Sequence, residues 1–144
     1  SRQSARYTEE RFESEINQIP HNAERIYGML SDLSNLERVK DRIPEGKVKD
    51  FTFDSDSCSF AVDPVGRIRL EIVEREPHKL IKFATTSSPI PIHLWIQLKE
   101  VAEADTRMKL TVGADINPFL KQMVAKPLQE AVAKISEVLA ALPY

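Results

Sequence analysis

The sequence predicts an α+β fold in which a seven-stranded antiparallel sheet is covered by one long C-terminal helix. Three observations carry that prediction. First, residues 117–141 place Phe119, Leu120, Met123, Val124, Pro127, Leu128, Ala131, Ile135, Val138 and Leu139 on one broad apolar stripe at helical spacing, with Leu142 just beyond. Second, the chain between Lys47 and that helix breaks into six strand-like runs bounded by turn residues. Third, the turns between those runs are too short for parallel crossovers, so successive strands must be antiparallel neighbours.

Taken in order, residues 8–19 alternate, with Phe12, Ser14 and Ile16 on one face, and predict a single half-buried strand. Asn22 is placed to cap a two-turn helix that buries Ala23, Ile26, Tyr27 and Leu30. Asp32 can cap a second short helix using Leu33, Leu36 and Val39; Ser34 with Glu37 is an alternative capping box. Ile43-Pro44-Glu45-Gly46 ends this helical part. The six strands then span about 47–53, 57–63, 67–75, 79–86, 91–101 and 105–115. Their inward residues are expected to be Cys58/Phe60/Val62, Ile68/Leu70/Ile72, Ile81/Phe83/Thr85, Leu94/Ile96/Leu98 and Met108/Leu110/Val112. The opposite face carries Arg67, Arg69, Glu71, Lys99, Arg107 and Lys109, so the sheet has one apolar face that needs a cover. Only the terminal helix, roughly 37 Å long at 1.5 Å per residue, can supply it. Asn117 is its expected N-cap, and Pro118 suits the first helical position. Pro127 falls inside it, at a cost of about 3 kcal/mol and one lost hydrogen bond. That predicts a kink, which either loosens a portal or simply improves packing.

Length and composition support one domain. The 144 residues suffice for a real core, and 42% hydrophobic with 29% charged residues is ordinary for a soluble globular protein. Residues 1–6 read as a short extension or expression remnant, leaving residues 7–144 as the domain. The net charge of −2 with interspersed signs argues against nucleic-acid binding. No apolar run reaches the ~18 residues of a membrane span, and the first residues lack a signal-peptide core. A single cysteine excludes an internal disulfide and suits a reducing, cytoplasmic setting.

Catalytic chemistry is poorly represented. Cys58 falls among apolar strand residues, which predicts a buried and inert thiol. His21 and His78 fall at turns, and His93 is either a cavity base or an exposed residue. No spacing of His, Cys and carboxylates suggests a metal, no motif requires a cofactor, and no catalytic residue is assigned. Asp115 could face the sheet–helix interior as a base or support the helix N-terminus. Trp95 is out of phase with Leu94, Ile96 and Leu98. Either the strand is apolar on both faces, which would suit a homodimer contact, or the assigned register is wrong.

The order strand, two short helices, six strands, long helix resembles the helix-grip fold of the SRPBCC superfamily, which includes START domains. Within it the small bacterial polyketide cyclase/dehydrase-like proteins are most similar. Ile19-Pro20, the stretch Leu30-Ser31-Asp32-Leu33-Ser34-Asn35 and the strand from Thr106 to Val112 support that likeness. The resemblance implies a curved sheet wrapped round the helix and a cavity between them that holds a small hydrophobic molecule such as a lipid, polyketide or isoprenoid. Phe60, Phe83, Met108 and Met123 are expected on its wall, because such side chains adapt to varied apolar shapes. Leu70, Ile72, Leu94, Ile96, Leu110, Leu120, Val124 and Pro127 complete the expected lining; a fully packed core is the plain alternative. Non-catalytic binding is the leading expectation. The alternatives are a cyclase/dehydrase-type enzyme using Ser14, Thr85, His93 and Asp115, and a protein-interaction module around Trp95.

Overall fold

A computed structural model describes residues 8–144 of the chain, so the expectation for residues 1–6 lies outside the described residues. The elements are β1 (Thr8–Glu13), β2 (Asn17–Ile19), α1 (Ala23–Leu30), α2 (Ser34–Glu37), a 3-10 turn at Lys40–Arg42, β3 (Val48–Phe53), β4 (Ser57–Val62), β5 (Gly66–Glu76), β6 (Leu80–Ser87), β7 (Ile92–Ala102), β8 (Asp105–Ile116) and α3 (Pro118–Ala140). All strands form one antiparallel sheet in the order β1-β8-β7-β6-β5-β4-β3, with β2 also paired to β8. The meander from β3 to β8 and its covering helix are as the sequence predicts.

The first strand is not continuous. Glu13 pairs with Thr111, but Asn17 pairs with Met108, so residues 14–16 hold one residue more than β8 offers opposite them. This bulge reverses the inward–outward alternation. Phe12 and Ser14 point inward, whereas Ile16 is turned out and is 65% exposed, contrary to its expected place. Ser14 replaces the broken ladder. Its backbone N–H donates to the Leu110 carbonyl, and its hydroxyl accepts from the Leu110 N–H at 2.9 Å and donates to the Glu15 carbonyl.

Further bulges lie between Lys49 and Thr52 in β3 and between Ile72 and Glu74 in β5. They bend the sheet. The β3 bulge contains Asp50 at a φ of 57° and lets both Phe51 and Phe53 face the interior. In β5 it leaves Val73 exposed between the buried Ile72 and the charged end of the strand.

Local capping follows the sequence closely. Asn22 accepts the Arg25 N–H and Asn117 accepts the Leu120 N–H, each at 2.8 Å. Asp32, expected to cap α2, instead lies one residue before its N-cap Leu33, which has no side-chain cap, and accepts both the N–H and the hydroxyl of Ser34. Those two hydrogen bonds hold its carboxyl below the usual range. The alternative capping box does not form, because Glu37 instead binds Lys40 and the Phe53 N–H.

The terminal helix runs unbroken through Pro127, and its buried face is narrower than the stripe predicts. Val124, Leu128, Ala131, Val132, Ser136 and Leu139 are buried, while Phe119 and Met123 are 69% and 55% exposed. Phe119 and Met123 share a helical face with Gln122 and Lys126, both outside the buried core. The apolar periodicity had merged that solvent-facing row with the sheet-facing one. Ser136 was missed because a serine breaks an apolar pattern. It is buried because the Asn17 side-chain amide donates to its hydroxyl.

Trp95 has the register the sequence assigns, paired with Thr111 and pointing away from the helix. Its indole lies beside Gly113, where a Cβ atom would come within 3.1 Å of Trp95 Cζ3. Arg11 and Lys82 stand over the ring at 4.9 and 5.5 Å from its centroid. A neighbouring glycine and two cations therefore accommodate an aromatic residue on the polar face.

Candidate functional site

Four rows of apolar side chains converge under α3. From the sheet come Phe60, Leu70, Phe83, Leu94, Ile96 and Leu110, inward residues of β4 to β8. Leu30, Leu33 and Leu36 of α1 and the α2 region close one end. Ile43, Pro44, Val48, Phe51 and Phe53 form the third wall, and Lys134, Ile135, Val138, Leu139 and Leu142 the fourth. They enclose a cavity of about 70 Å³. Ile43, Phe51, Phe53, Lys134, Ile135 and Val138 are not fully buried, and Pro44 is exposed, so this side is its mouth. Phe51 stacks on Phe53 and on Phe60, with ring centroids 5.8 and 5.4 Å apart, linking the rim to the interior. A second void of about 20 Å³ continues beneath α3 between Val62, Ile68, Ile92, Val112, Leu128 and Val132. It shares Phe60, Leu70, Leu94 and Ile135 with the first.

The residues expected on the wall divide in two. Phe60, Leu70, Phe83, Leu94, Ile96 and Leu110 line the cavity. Ile72, Met108 and Val124 are buried but line neither void, Leu120 and Pro127 are half-buried outside both, and Met123 is exposed. The reason is lateral. The cavity lies under the C-terminal half of α3 and extends toward β3 and α2, whereas Met108 pairs with Asn17 and Leu98 on the β2 side. The wall made by Ile43, Pro44, Phe51 and Phe53 was missed. The alternation of Phe51 and Phe53 was the available signal, but the bulge hides the phase that carries it inward.

The lining is almost free of chemistry. Cys58 is its thiol, and burial pushes that group up from 9.0 to about 12, so it is protonated and inert near neutral pH. Lys134 is the one charged residue on the lining among the described residues. None of Ser14, Thr85, His93 and Asp115 lines either void. Ser14 is committed to Leu110 and Glu15, and Thr85 accepts the Ile92 N–H. His93 points to the outer face beside Trp95, and Asp115 is exposed. His78 is exposed in its turn with its ring edge-on to Tyr27, and His21 packs edge-on to Tyr144.

The helix is fastened unevenly over this cavity. On the β1–β2 side Asn17 donates to Ser136, Gln129 donates to the Glu13 carbonyl at 2.9 Å, and Lys121 pairs with Glu10 at 3.2 Å. On the mouth side the ion pair of Lys47 with Glu130, at 3.2 Å, spans from the β3 approach to the helix. No helix among the described residues is long and apolar enough to cross a membrane.

No family model matches the sequence, and no curated protein matches it. Solved structures do resemble the fold. Norcoclaurine synthase from Thalictrum flavum, in complex with dopamine and hydroxybenzaldehyde, superposes with a TM-score of 0.71 at 11% identity, over 95% of this chain and 87% of that one. A START superfamily protein from Mycobacterium smegmatis gives 0.66 at 11% identity over 90% and 94%. A protein from Thermus thermophilus gives 0.65 at 18% identity over 91% and 94%. At these identities the likeness shows the fold, a START-like helix-grip.

Proposed function

We propose that this START-like helix-grip domain binds a small hydrophobic molecule between its sheet and α3 and catalyses no reaction. The observation that carries the reading is the cavity itself, walled by aliphatic and aromatic side chains and open on one side. A void of this size in a packed core costs on the order of 2 kcal/mol. That is a substantial share of the roughly 5–15 kcal/mol by which domains are stable. Its volume is well below the roughly 300–1,000 Å³ of sites for drug-sized ligands. The ligand is therefore slender, or it displaces the partly exposed Phe51, Phe53 and Ile43 at the rim.

Catalysis needs at least two titratable groups converging on the bound molecule. One related fold belongs to a synthase, but here the lining offers a protonated thiol and a rim lysine. The cyclase/dehydrase alternative thus lacks its acid–base pair. Native mass spectrometry of the purified protein against single-chain lipids, isoprenoids and polyketide-like aromatics tests the binding reading. A 1:1 adduct that survives in wild type and disappears in Val138→Phe, which plugs the mouth, is the expected result. Absence of any adduct in a folded wild-type protein would overturn it.

A further inference from the structure

Lys134 is out of place by the logic of the helix that carries it. It lies between Ala131 and Val138 at three- and four-residue spacing, on the flank that turns toward the cavity. Its neighbours one turn away on either side are carboxylates, yet Glu130 is held by Lys47 and Glu137 is exposed. Lys134 itself makes no ion pair or side-chain hydrogen bond among the described residues. Lys134 lines the cavity and is half-buried, and a lysine so placed usually lays its stem along the apolar surface and keeps its ammonium in water.

An apolar cavity with one unpaired cation at its entrance has a defined chemical complement. We infer that the ligand is a single-chain amphiphile whose tail enters the cavity and whose anionic head pairs with the Lys134 ammonium. This rests on the binding reading above and narrows it to a class. A cavity of about 70 Å³ with a 20 Å³ continuation beneath α3 suits an unbranched chain, which can occupy it in part and extend along it, better than a fused-ring molecule that must enter whole. A carboxylate and a phosphate monoester share the required charge, and a hydrogen bond between such a head and an ammonium is charge-assisted.

The test uses octanoate, octyl phosphate and octan-1-ol as probes, which share a tail and differ in the head. Binding is followed by isothermal titration and by methyl chemical shifts of the lining leucines. Wild type should bind at least one of the two anions about tenfold more tightly than the alcohol. Lys134→Gln should remove that preference, bringing the anions to the affinity of the alcohol measured on the same variant, and Lys134→Arg should restore it. Whichever anion shows the preference identifies the head group. Equal affinity for all three probes, or an anion preference that survives Lys134→Gln in a folded protein, overturns the assignment to Lys134 and leaves the apolar cavity reading standing. Failure of all three to bind would overturn the single-chain amphiphile, and the cavity reading would then stand or fall on the wider panel of lipids, isoprenoids and aromatics.

Discussion

Cys58 illustrates how position rather than residue type decides reactivity. Its thiol lies in β4 against the cavity, and the loss of water around it outweighs the opposing influence of nearby Arg69. The folded thiol therefore stays protonated to about pH 12, whereas the unfolded thiol ionises near 9.0. Between those values the unfolded chain has lost a proton that the folded chain retains, so stability falls as pH rises through that window. The Tyr144 phenol, buried with its hydroxyl donating to the Leu139 carbonyl, is also pushed up and acts in the same direction. Native protein at about pH 8 should react with a disulfide reagent far more slowly than unfolded protein, and the urea midpoint should drop between about pH 9 and 11. Rapid native labelling would show that the thiol is not enclosed. Gly113 offers a second test at this scale. Alanine there would press on Glu9, which can move, and on Trp95, which is held between Arg11 and Lys82. Gly113→Ala should cost about 1–2 kcal/mol and shift the emission of the single tryptophan. Unchanged stability and emission would mean that the indole does not lie on that glycine.

Among the elements, α3 departs from an ideal helix at Pro127 and from its predicted facing at Phe119 and Met123. The carbonyl left without a partner by Pro127 is that of Met123, whose side chain is on the solvent side, so water can satisfy it. Pro127 lies outside both voids, which separates its effect on the helix from any effect on the lining. Pro127→Ala should raise stability by about 1–3 kcal/mol, measured by urea unfolding, because it restores an amide donor and removes a steric clash. If it also slows exchange of a bound probe, the proline serves opening as well as packing. A destabilised variant would instead show that the surrounding fold requires the proline geometry.

For the molecule as a whole, the important asymmetry is how α3 is attached. The part-buried Asn17–Ser136 contact, whose hydroxyl partner is fully buried, and the exposed Gln129–Glu13 hydrogen bond anchor the helix to the β1–β2 edge, while an exposed ion pair spans the mouth side. Buried hydrogen bonds whose loss leaves a polar atom unpaired cost about 1–3 kcal/mol, whereas exposed ion pairs contribute about 0–1. Asn17→Ala should therefore destabilise the protein more than Glu130→Ala in paired urea titrations. The reverse order would mean that the helix is held chiefly from the mouth side. The exposed attachment is the one facing β3, where Phe51 and Phe53 form a partly exposed rim.

Local signals in the chain were enough for the order of helices and strands from α1 onward, the antiparallel meander, both asparagine caps and the inward residues of β4 to β8. Each is written in periodicity, turn length or a capping side chain. Part of the cavity lining was legible for the same reason, since strand alternation placed Phe60, Leu70, Phe83, Leu94, Ile96 and Leu110 inward. What bulges and helix rotation control emerged only on folding. An extra residue at 14–16 turned Ile16 out, a bulge in β3 turned Phe51 and Phe53 in, and packing on one edge left Met123 in solvent. Folding also set Lys134 against the cavity rather than the bulk surface. Such outcomes depend on which surfaces meet at long sequence separation, and a one-residue change of register is enough to reverse them.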